Sequence, residues 1–183
     1  MSSRILIDGG ANSREWLERY LPRLGNFERI YAFEPNPAWH ASYEGSNITL
    51  IKKAIWTQDC WLPLYLSKDP RQSNSSLYHD KICKSDQGRL TTEWGDGPIQ
   101  VECLDFSRWL QENIQPADSV TLKLDIEGAE YDVLWKLLNE GTIRLIHTLH
   151  VEFHTDTLPS KKDQYEPLVA ALRQAGIEPL NWD

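Results

Sequence analysis

The chain has 183 residues, 40% of them hydrophobic and 25% charged, which is ordinary for one globular domain, here expected over residues 1–183. No apolar run approaches the ~20 residues that cross a bilayer, no secretory signal is visible and three cysteines lack a CxxC pair, so we expect a cytoplasmic protein without a membrane span. The net charge of −8 and the lack of Lys and Arg clusters disfavour a nucleic-acid partner, because binding phosphates needs a basic surface.

The first third of the chain alternates short apolar runs with helical patterns, which is typical of βαβ units in a parallel sheet. A predicted helix over 13–24 has its apolar residues on one face, and Pro22 is expected to kink or shorten it. The other predicted elements of this part are strands over 4–7, 29–33 and 48–54 and a short helix over 38–43.

The middle of the chain is different, because residues 67–97 are rich in Gly, Ser and Pro and poor in apolar side chains. They predict a long irregular excursion, and such loops in compact domains are often functional. We therefore expect this excursion to cover the substrate. The predicted elements on either side are strands over 61–66, 99–104, 120–124, 143–153 and 177–181 and helices over 106–113, 129–140 and 164–174.

Acidic or glycine-rich residues follow several predicted strands at the point where each strand ends. In an open α/β sheet, ligands bind beyond these carboxyl ends. The first strand runs into Asp8-Gly9-Gly10-Ala11-Asn12, where glycines let the backbone approach a ligand closely. Glu34 ends the second strand, in the position of a ribose-binding carboxylate. The first turn lacks the G-x-G-x-x-G pattern, which argues against NAD or FAD and favours a nucleoside with an amino-acid tail.

Several short segments together form a recognisable pattern. They are Ile7-Asp8-Gly9-Gly10-Ala11-Asn12, Phe33-Glu34-Pro35-Asn36-Pro37, Ala54-Ile55-Trp56, Ser75-Ser76-Leu77, Leu122-Lys123-Leu124-Asp125-Ile126-Glu127-Gly128-Ala129-Glu130 and Val151-Glu152-Phe153-His154. With these segments the chain resembles the FkbM family of methyltransferases. The resemblance implies an α/β, Rossmann-like class I methyltransferase fold with a mostly parallel sheet flanked by helices. It also implies S-adenosyl-L-methionine as cofactor and methylation of a hydroxyl on a sugar, polyketide or similar small molecule.

By this resemblance, Glu34 would hold the ribose of the cofactor, Asn36 would border the adenine, and the turn after the first strand would shape the methionine side. Arg14 departs from the family pattern, which has a glycine there, and it either narrows the pocket or points away from it. A leading segment and the last antiparallel strand of the sheet are expected to be missing. The implied cofactor-binding residues are Asp8, Gly9, Gly10, Ala11, Asn12, Glu34, Pro35, Asn36, Ala54, Ile55, Ser75 and Asp125.

Methyl transfer to a hydroxyl requires in-line positioning and the removal of a proton. The candidate catalytic residues at the strand ends are Asp125, Glu127, Glu152 and His154. Asp125 and His154 both follow apolar strands, so we expect them to face one another, one taking the proton while the other orients it. The same cluster could hold a divalent cation, although we assign no metal site. Glu127 and Glu130 could instead satisfy backbone donors at the start of the following helix.

The expected acceptor is a small molecule or a sugar, and an oligomer is compatible with the sequence. A methyltransferase acting on nucleic acid or nucleotides would use the same scaffold, although the acidic charge disfavours it. A cofactor-binding module without catalysis is a third function, and Arg14 and the missing terminal elements are the arguments for it.

Overall fold

The computed structural model describes residues 2–69, 72–84, 90–91, 94–95 and 97–182. In chain order, its strands are β1 (Arg4–Gly9), β2 (Arg29–Phe33), β3 (Thr49–Ile51), β4 (Ala54–Trp56), β5 (Cys60–Leu64), β6 (Cys83–Lys84), β7 (Leu90–Thr91), β8 (Ile99–Asp105), β9 (Ser119–Leu124), β10 (Thr148–Val151) and β11 (Pro179–Asn181). Its α-helices are α1 (Arg14–Leu24), α2 (Phe106–Asn113), α3 (Glu130–Asn139) and α4 (Tyr165–Gln174). Shorter 3₁₀ helices span Pro37–Tyr43, Thr142–Leu145 and Pro159–Gln164.

A six-stranded sheet in the order β3-β2-β1-β9-β10-β11 forms the centre of the molecule. All of its neighbouring strands are parallel. Counted along the chain, this is the 3-2-1-4-5-6 order of a Rossmann sheet, in which the connections reverse direction between the first and fourth strands. Here that reversal lies between β1 and β9, and a ligand is expected in the crevice beyond their carboxyl ends. The predicted α/β class with a parallel sheet is confirmed.

Helices cover both faces of this sheet because alternate strand residues point to opposite sides. In β1, Ile5 and Ile7 join the core beneath α2, α3 and α4, whereas Leu6 packs with Leu17 of α1. All three β1 residues are fully buried. Full burial of one such side chain stabilises the fold by about 1.5–3 kcal/mol, so the apolar strand fixes both helical layers. The predicted flanking helices are confirmed.

The single strand predicted over 48–54 is wrong, because the chain changes sheets within it. Thr49–Ile51 is the edge of the main sheet, while Ala54–Trp56 belongs to a second sheet of order β4-β8-β5. Between them Lys52 is exposed and the Lys53 ammonium pairs with Glu102 on β8. Two consecutive lysines cannot continue a buried strand, since their charges must stay solvated or paired.

The long strand predicted over 143–153 is also too long. Thr142–Leu145 is a 3₁₀ helix, and only Thr148–Val151 pairs in the sheet. The left-handed Gly141 (φ 71°) turns the chain first, so Ile143 is buried against the helices instead of in a strand. Pro22 does not shorten α1. It stands in the last turn, and the helix ends only where the Gly25 N–H donates to the Leu21 carbonyl at 3.0 Å.

The predicted excursion over 67–97 falls partly outside the described residues. Its described part contains the short antiparallel pair β6–β7 and two isolated bridges, Tyr65 with Ser76 and Ser67 with Trp94. None of the helices in the described ranges is long and apolar enough to cross a membrane.

Candidate active site

A cavity of about 290 Å³ opens at the carboxyl ends of β1, β2, β9 and β10. This volume is close to the lower end of the range for small-molecule sites, about 300–1,000 Å³. The predicted site residues that line it are Gly10, Asn12, Glu34, Pro35, Asn36, Ala54, Ile55, Ser75, Asp125, Glu127 and Glu152. The sequence did not single out Trp16 and Trp39, which also line the cavity.

The turn after β1 brings two backbone segments into direct contact. Gly10 has φ 73°, and its N–H donates to the Phe33 carbonyl at 3.2 Å. A Cβ atom at Gly10 would lie 1.8 Å from the Asp125 carbonyl oxygen. Only glycine therefore fits here, both for its left-handed backbone and for the close approach of the two strand ends. Asn12 also has a positive φ of 49°, which asparagine tolerates better than most residues.

The carboxylate of Glu34 is buried and connects the turns after β1 and β2 where they line the cavity. Its Oε2 accepts from the Asn12 N–H and its Oε1 accepts from the Asn36 N–H, each at 2.7 Å. Burial raises the pKa of Glu34 to about 7, although these two backbone donors oppose the shift. Each carboxylate oxygen can accept more than one hydrogen bond, so both can still receive a ligand hydroxyl. This geometry suits the predicted ribose-binding role.

Three predicted cofactor residues do not line the cavity, namely Asp8, Gly9 and Ala11. Asp8 is buried, and its Oδ1 lies 3.1 Å from the ammonium of Lys123. Lys123 also donates to the Gly10 carbonyl at 2.9 Å. Burial lowers the pKa of Lys123, but the charges of Asp8 and Asp125 outweigh it and the net shift is upward. Asp8 therefore lies outside the cavity and stabilises the ends of β1 and β9 through its ion pair with the charged Lys123.

Arg14 points away from the cavity, which settles the two alternatives that the sequence left open. It is the first residue of α1, does not line the cavity and places its Nε 3.4 Å from the Glu18 Oε1 one turn along the helix. The long side chain therefore leaves the pocket its full width.

The predicted catalytic residues converge at one end of the cavity. His154 Nε2 lies 3.1 Å from Glu127 Oε2, 3.8 Å from Asp125 Oδ1 and 3.8 Å from Glu152 Oε1. Asp125 and His154 therefore do face one another, as the topology predicted. His154 itself borders a second, more polar cavity of about 470 Å³, which meets the first at Glu152.

His154 is held on both ring nitrogens by carboxylates. Its Nδ1 lies 3.1 Å from Glu130 Oε1, opposite the contact with Glu127. Burial opposes the charged imidazole, but Glu130 and Glu127 raise the pKa of His154 well above its usual value. At neutral pH the ring is therefore a cation with both nitrogens occupied, which is a poor state for a proton acceptor.

Asp125 differs from His154 in its titration and in its access to the cavity. Burial raises its pKa to about 7, with Glu127 and Glu152 adding to the shift and Lys123 and His154 opposing it. A carboxylate that titrates near neutral pH combines a useful ionised fraction with adequate basicity. It also lines the cavity directly.

Glu130, rather than Asp125 or Glu127, satisfies the backbone at the start of α3. Its carboxylate is fully buried and accepts from the N–H groups of Ile126 at 2.8 Å and Gly128 at 2.9 Å. The loop between β9 and α3 is therefore wrapped around the Glu130 side chain. This confirms half of the capping alternative and leaves Glu127 available for another role.

Glu127 is the most constrained residue of the cluster and has partners that the sequence did not reveal. It has φ 59°, which is costly for a residue with a side chain. Its carboxylate pairs with the ammonium of Lys81, and its carbonyl accepts from Ser76 Oγ at 2.6 Å. Both partners belong to the excursion. No periodicity or spacing could have linked them to the β9–α3 loop, because Lys81 and Glu127 lie 46 positions apart in the chain, with β8, α2 and β9 between them.

Asp125, Glu127 and His154 are close enough to share a metal ion, since one ligand atom from each lies within 4.8 Å of the others. Positive charge is already present, however, on Lys81 beside Glu127, on Lys123 at 3.5 Å from Asp125, and on the His154 ring. The cluster is therefore an ion-pair network, and the absence of a metal site stays a prediction.

The excursion forms one wall of the cavity. Its wall residues are Gln72, Ser73, Asn74, Ser75 and Leu77. Asn36 Nδ2 donates to Gln72 Oε1 at 2.8 Å, which ties this wall to the turn after β2. The placement is compatible with the predicted substrate cover, which stays a prediction.

The model of the methyltransferase FkbM domain matches residues 8–178. No curated protein shows a significant match to the chain. A crystal structure of methyltransferase FkbM from Methylobacillus flagellatus KT is similar with a TM-score of 0.46 and 15% sequence identity, over 90% of this chain and 37% of that chain. The chain thus spans well under half the length of that methyltransferase. The family match covers the strand-end motifs described above, and the chain belongs to the FkbM methyltransferase domain family.

Proposed function

We propose that this chain binds S-adenosyl-L-methionine in the cavity and directs its methyl group to a hydroxyl of a small molecule or sugar. The observation that carries the proposal is the charge of the cavity wall. The wall has four carboxylates, Glu34, Asp125, Glu127 and Glu152, and no Lys, Arg or His among its described residues. Lys81, Lys123 and His154 offset part of this charge from outside the wall, but the surface that a ligand meets is acidic and favours the sulfonium and ammonium cations of this cofactor over phosphate groups.

The residues at the β1 end fit the nucleoside part of the cofactor. A nucleoside needs close backbone approach and an acceptor for its ribose hydroxyls. Gly10, where no side chain fits, supplies the first, and the Glu34 carboxylate, with spare acceptor capacity, supplies the second. Ala54 and Ile55 add an apolar wall for a planar base.

The chain's own chemical task is then proton removal. When bound, S-adenosylmethionine supplies a methyl group whose S–C bond breaks as the O–C bond to the acceptor forms, leaving a neutral thioether. Asp125 accepts the proton that the acceptor hydroxyl loses. The His154 cation, 3.8 Å from Asp125, stabilises the carboxylate before the transfer, and Glu127 and Glu130 hold the ring in place.

The wall charge also separates acceptor classes. Nucleic acids and nucleotides would bring phosphates toward Asp125 and Glu152, where the described wall offers no cation to bind them. Neutral or cationic hydroxyl compounds meet no such penalty. We therefore place neutral hydroxyl acceptors, sugars among them, ahead of nucleic acid.

Isothermal calorimetry tests the proposal. S-adenosylmethionine and S-adenosylhomocysteine should bind with one site per chain, whereas ATP and NAD should bind far more weakly because of their phosphates. Binding of ATP in preference to S-adenosylmethionine would overturn the cofactor assignment. Labelled-methyl transfer to pools of neutral and of phosphorylated hydroxyl compounds then tests the acceptor class, and labelling confined to the phosphorylated pool would contradict it.

A further inference from the structure

Lys81 is a buried charged residue in the excursion that contacts Glu127, the carboxylate beside His154. Only 1% of its surface is exposed. Its ammonium pairs with Glu127 Oε2, the same oxygen that lies 3.1 Å from His154 Nε2. The backbone around Lys81 is fixed as well, since the Ile82 N–H donates to the Thr157 carbonyl at 2.6 Å.

The position of Lys81 is expensive, which points to a specific task. Burying an ammonium costs several kcal/mol that its partner must offset, and an apolar residue would pack there at lower cost. Glu127 in turn lies close to the carboxylates that converge on His154. Without Lys81, the His154 cation alone would oppose the repulsion between Glu127 and the nearby carboxylates, and Glu127 would no longer be held in its present position.

We propose that Lys81 is a positioning residue that holds the Glu127 carboxylate against His154 and so fixes the geometry around Asp125. The inference rests on the proposed function only for its effect on turnover. Through Lys81 and Ser76, the excursion grips both the side chain and the carbonyl of Glu127. We therefore expect the excursion to dock as a wall of the cavity at the same time as Glu127 takes its place beside His154 and Asp125.

The test that does not require activity is the titration of His154 by nitrogen-15 NMR. In Lys81→Met, loss of positive charge alone would raise the pKa of the His154 ring, whereas displacement of Glu127 would lower it by removing one of two carboxylate partners. We expect it to fall. A rise would overturn the positioning role. The charged groups facing the ring are Glu127 and Glu130 from the β9–α3 loop and helix, Asp125 after β9, and Glu152 after β10.

A matched control is Lys161→Met. Lys161 is also largely buried and anchors the same region, with its ammonium 2.7 Å from Asp132 Oδ2, but it does not contact Glu127. It should leave the His154 titration unchanged. An equal fall in both variants would show a general loosening of the excursion and would overturn the proposal.

Turnover supplies the second readout. Lys81→Met should lower kcat by about 10- to 100-fold, as expected when a catalytic group is misplaced by about 1 Å. The cofactor Kd should change by less than about threefold. Lys81→Arg should restore most of kcat, since it returns a cation to Glu127. No rescue by arginine, or an unchanged kcat in Lys81→Met, would contradict the role.

Stability measurements distinguish the loss of the Lys81–Glu127 contact from a general failure of Lys81→Met to fold. If Lys81→Met lowers Tm strongly, the double variant Lys81→Met with Glu127→Gln should recover much of that loss, because the unpaired buried carboxylate is then gone. If the losses in Tm of the two single variants simply add in the double variant, the proposed pairing of Lys81 with Glu127 is overturned. Absence of S-adenosylmethionine binding by the wild-type chain would sink the proposed function, while the His154 titration and this cycle would still decide the role of Lys81.

Discussion

At the scale of single residues, Asp125 lies among two anions and two cations at the end of the cavity. Burial and the charges of Glu127 and Glu152 raise its pKa to about 7, against the pull of Lys123 and His154. A base must be ionised to accept a proton, so kcat should rise as pH increases through about 7. Asp125→Asn should lower kcat by about 10²–10⁴-fold and flatten this rise, with a much smaller change in the cofactor Kd. A pH series of initial rates on both proteins measures it.

His154 is the alternative base, and the same series separates the two residues. If Asp125 accepts the proton, His154→Gln slows the reaction but keeps a rise in kcat with pH. A flat profile in His154→Gln together with a normal one in Asp125→Asn would transfer the role to His154. Melting temperatures of both variants show whether a loss of rate reflects a loss of fold.

Glu34 supports a prediction about binding alone. Glu34→Gln keeps the shape but replaces one acceptor oxygen with an NH₂ group, which meets a backbone N–H that now has no partner. We expect cofactor binding to weaken by about 1–3 kcal/mol, the range for hydrogen bonds to a charged group. Calorimetry measures this loss, with Glu44→Gln, which makes the same substitution at an exposed position, as the control. Equal affinities for Glu34→Gln and the wild type would place the ribose elsewhere.

At the scale of elements, the turn between β1 and α1 packs against the loop between β9 and α3. Gly10→Ala combines a left-handed backbone with a Cβ atom 1.8 Å from the Asp125 carbonyl oxygen. We expect a loss of about 2–4 kcal/mol in the free energy of unfolding, from backbone strain and overpacking together. Urea denaturation measures it.

Gly45→Ala is the matched control for that loss. Gly45 has nearly the same φ, 71°, but nothing within 4 Å of the added Cβ atom. It should cost only about 1 kcal/mol, the price of the backbone conformation alone. Equal losses in the two variants would mean that the β9–α3 loop moves aside, and the tight contact at Gly10 would not matter for stability.

Elements with a strong apolar pattern could be predicted from the sequence, and those shaped by distant contacts could not. The strand Arg29–Phe33 and the helix Phe106–Asn113 were predicted at their observed bounds, because local periodicity decides them. The two lysines at 52 and 53 mark the break between β3 and β4, but the pairing of β4 with β8 in a second sheet, where Lys53 meets Glu102, is a distant contact that the local pattern does not contain. The candidate site divides in the same way. Strand-end residues such as Glu34 and Asp125 were found by topology, whereas Lys81 reaches the site only through the folded excursion.

At the scale of the whole molecule, the network around His154 links the cavity to stability. In the folded chain Glu130 and Glu127 keep this ring protonated well above its usual pKa, while in the unfolded chain it loses its proton near pH 6.5. The stabilisation is thus complete below the unfolded pKa and is lost as pH rises through the folded one. The carboxyl groups of Asp125 and Glu34, with pKa values raised to about 7, lower the stability as pH rises from about 4 to about 7, and their effect is nearly constant above that range.

At pH values above about 7.5, where the imidazole of the unfolded chain has lost its proton, the folded chain still holds the proton of His154, and its stability should fall as pH rises, by at most about 1.4 kcal/mol per pH unit for this one proton. Urea unfolding at several pH values measures how the free energy of unfolding changes with pH. In His154→Gln most of this pH dependence should disappear, whatever the stability of the variant at the lowest pH. His150→Gln is the control, because burial lowers the pKa of His150 and the ring is neutral in both states over this window. If the free energy of unfolding of His154→Gln still falls with pH over this range, another group takes up the proton. The hypothesis of a charged imidazole at the centre of the network would then be wrong.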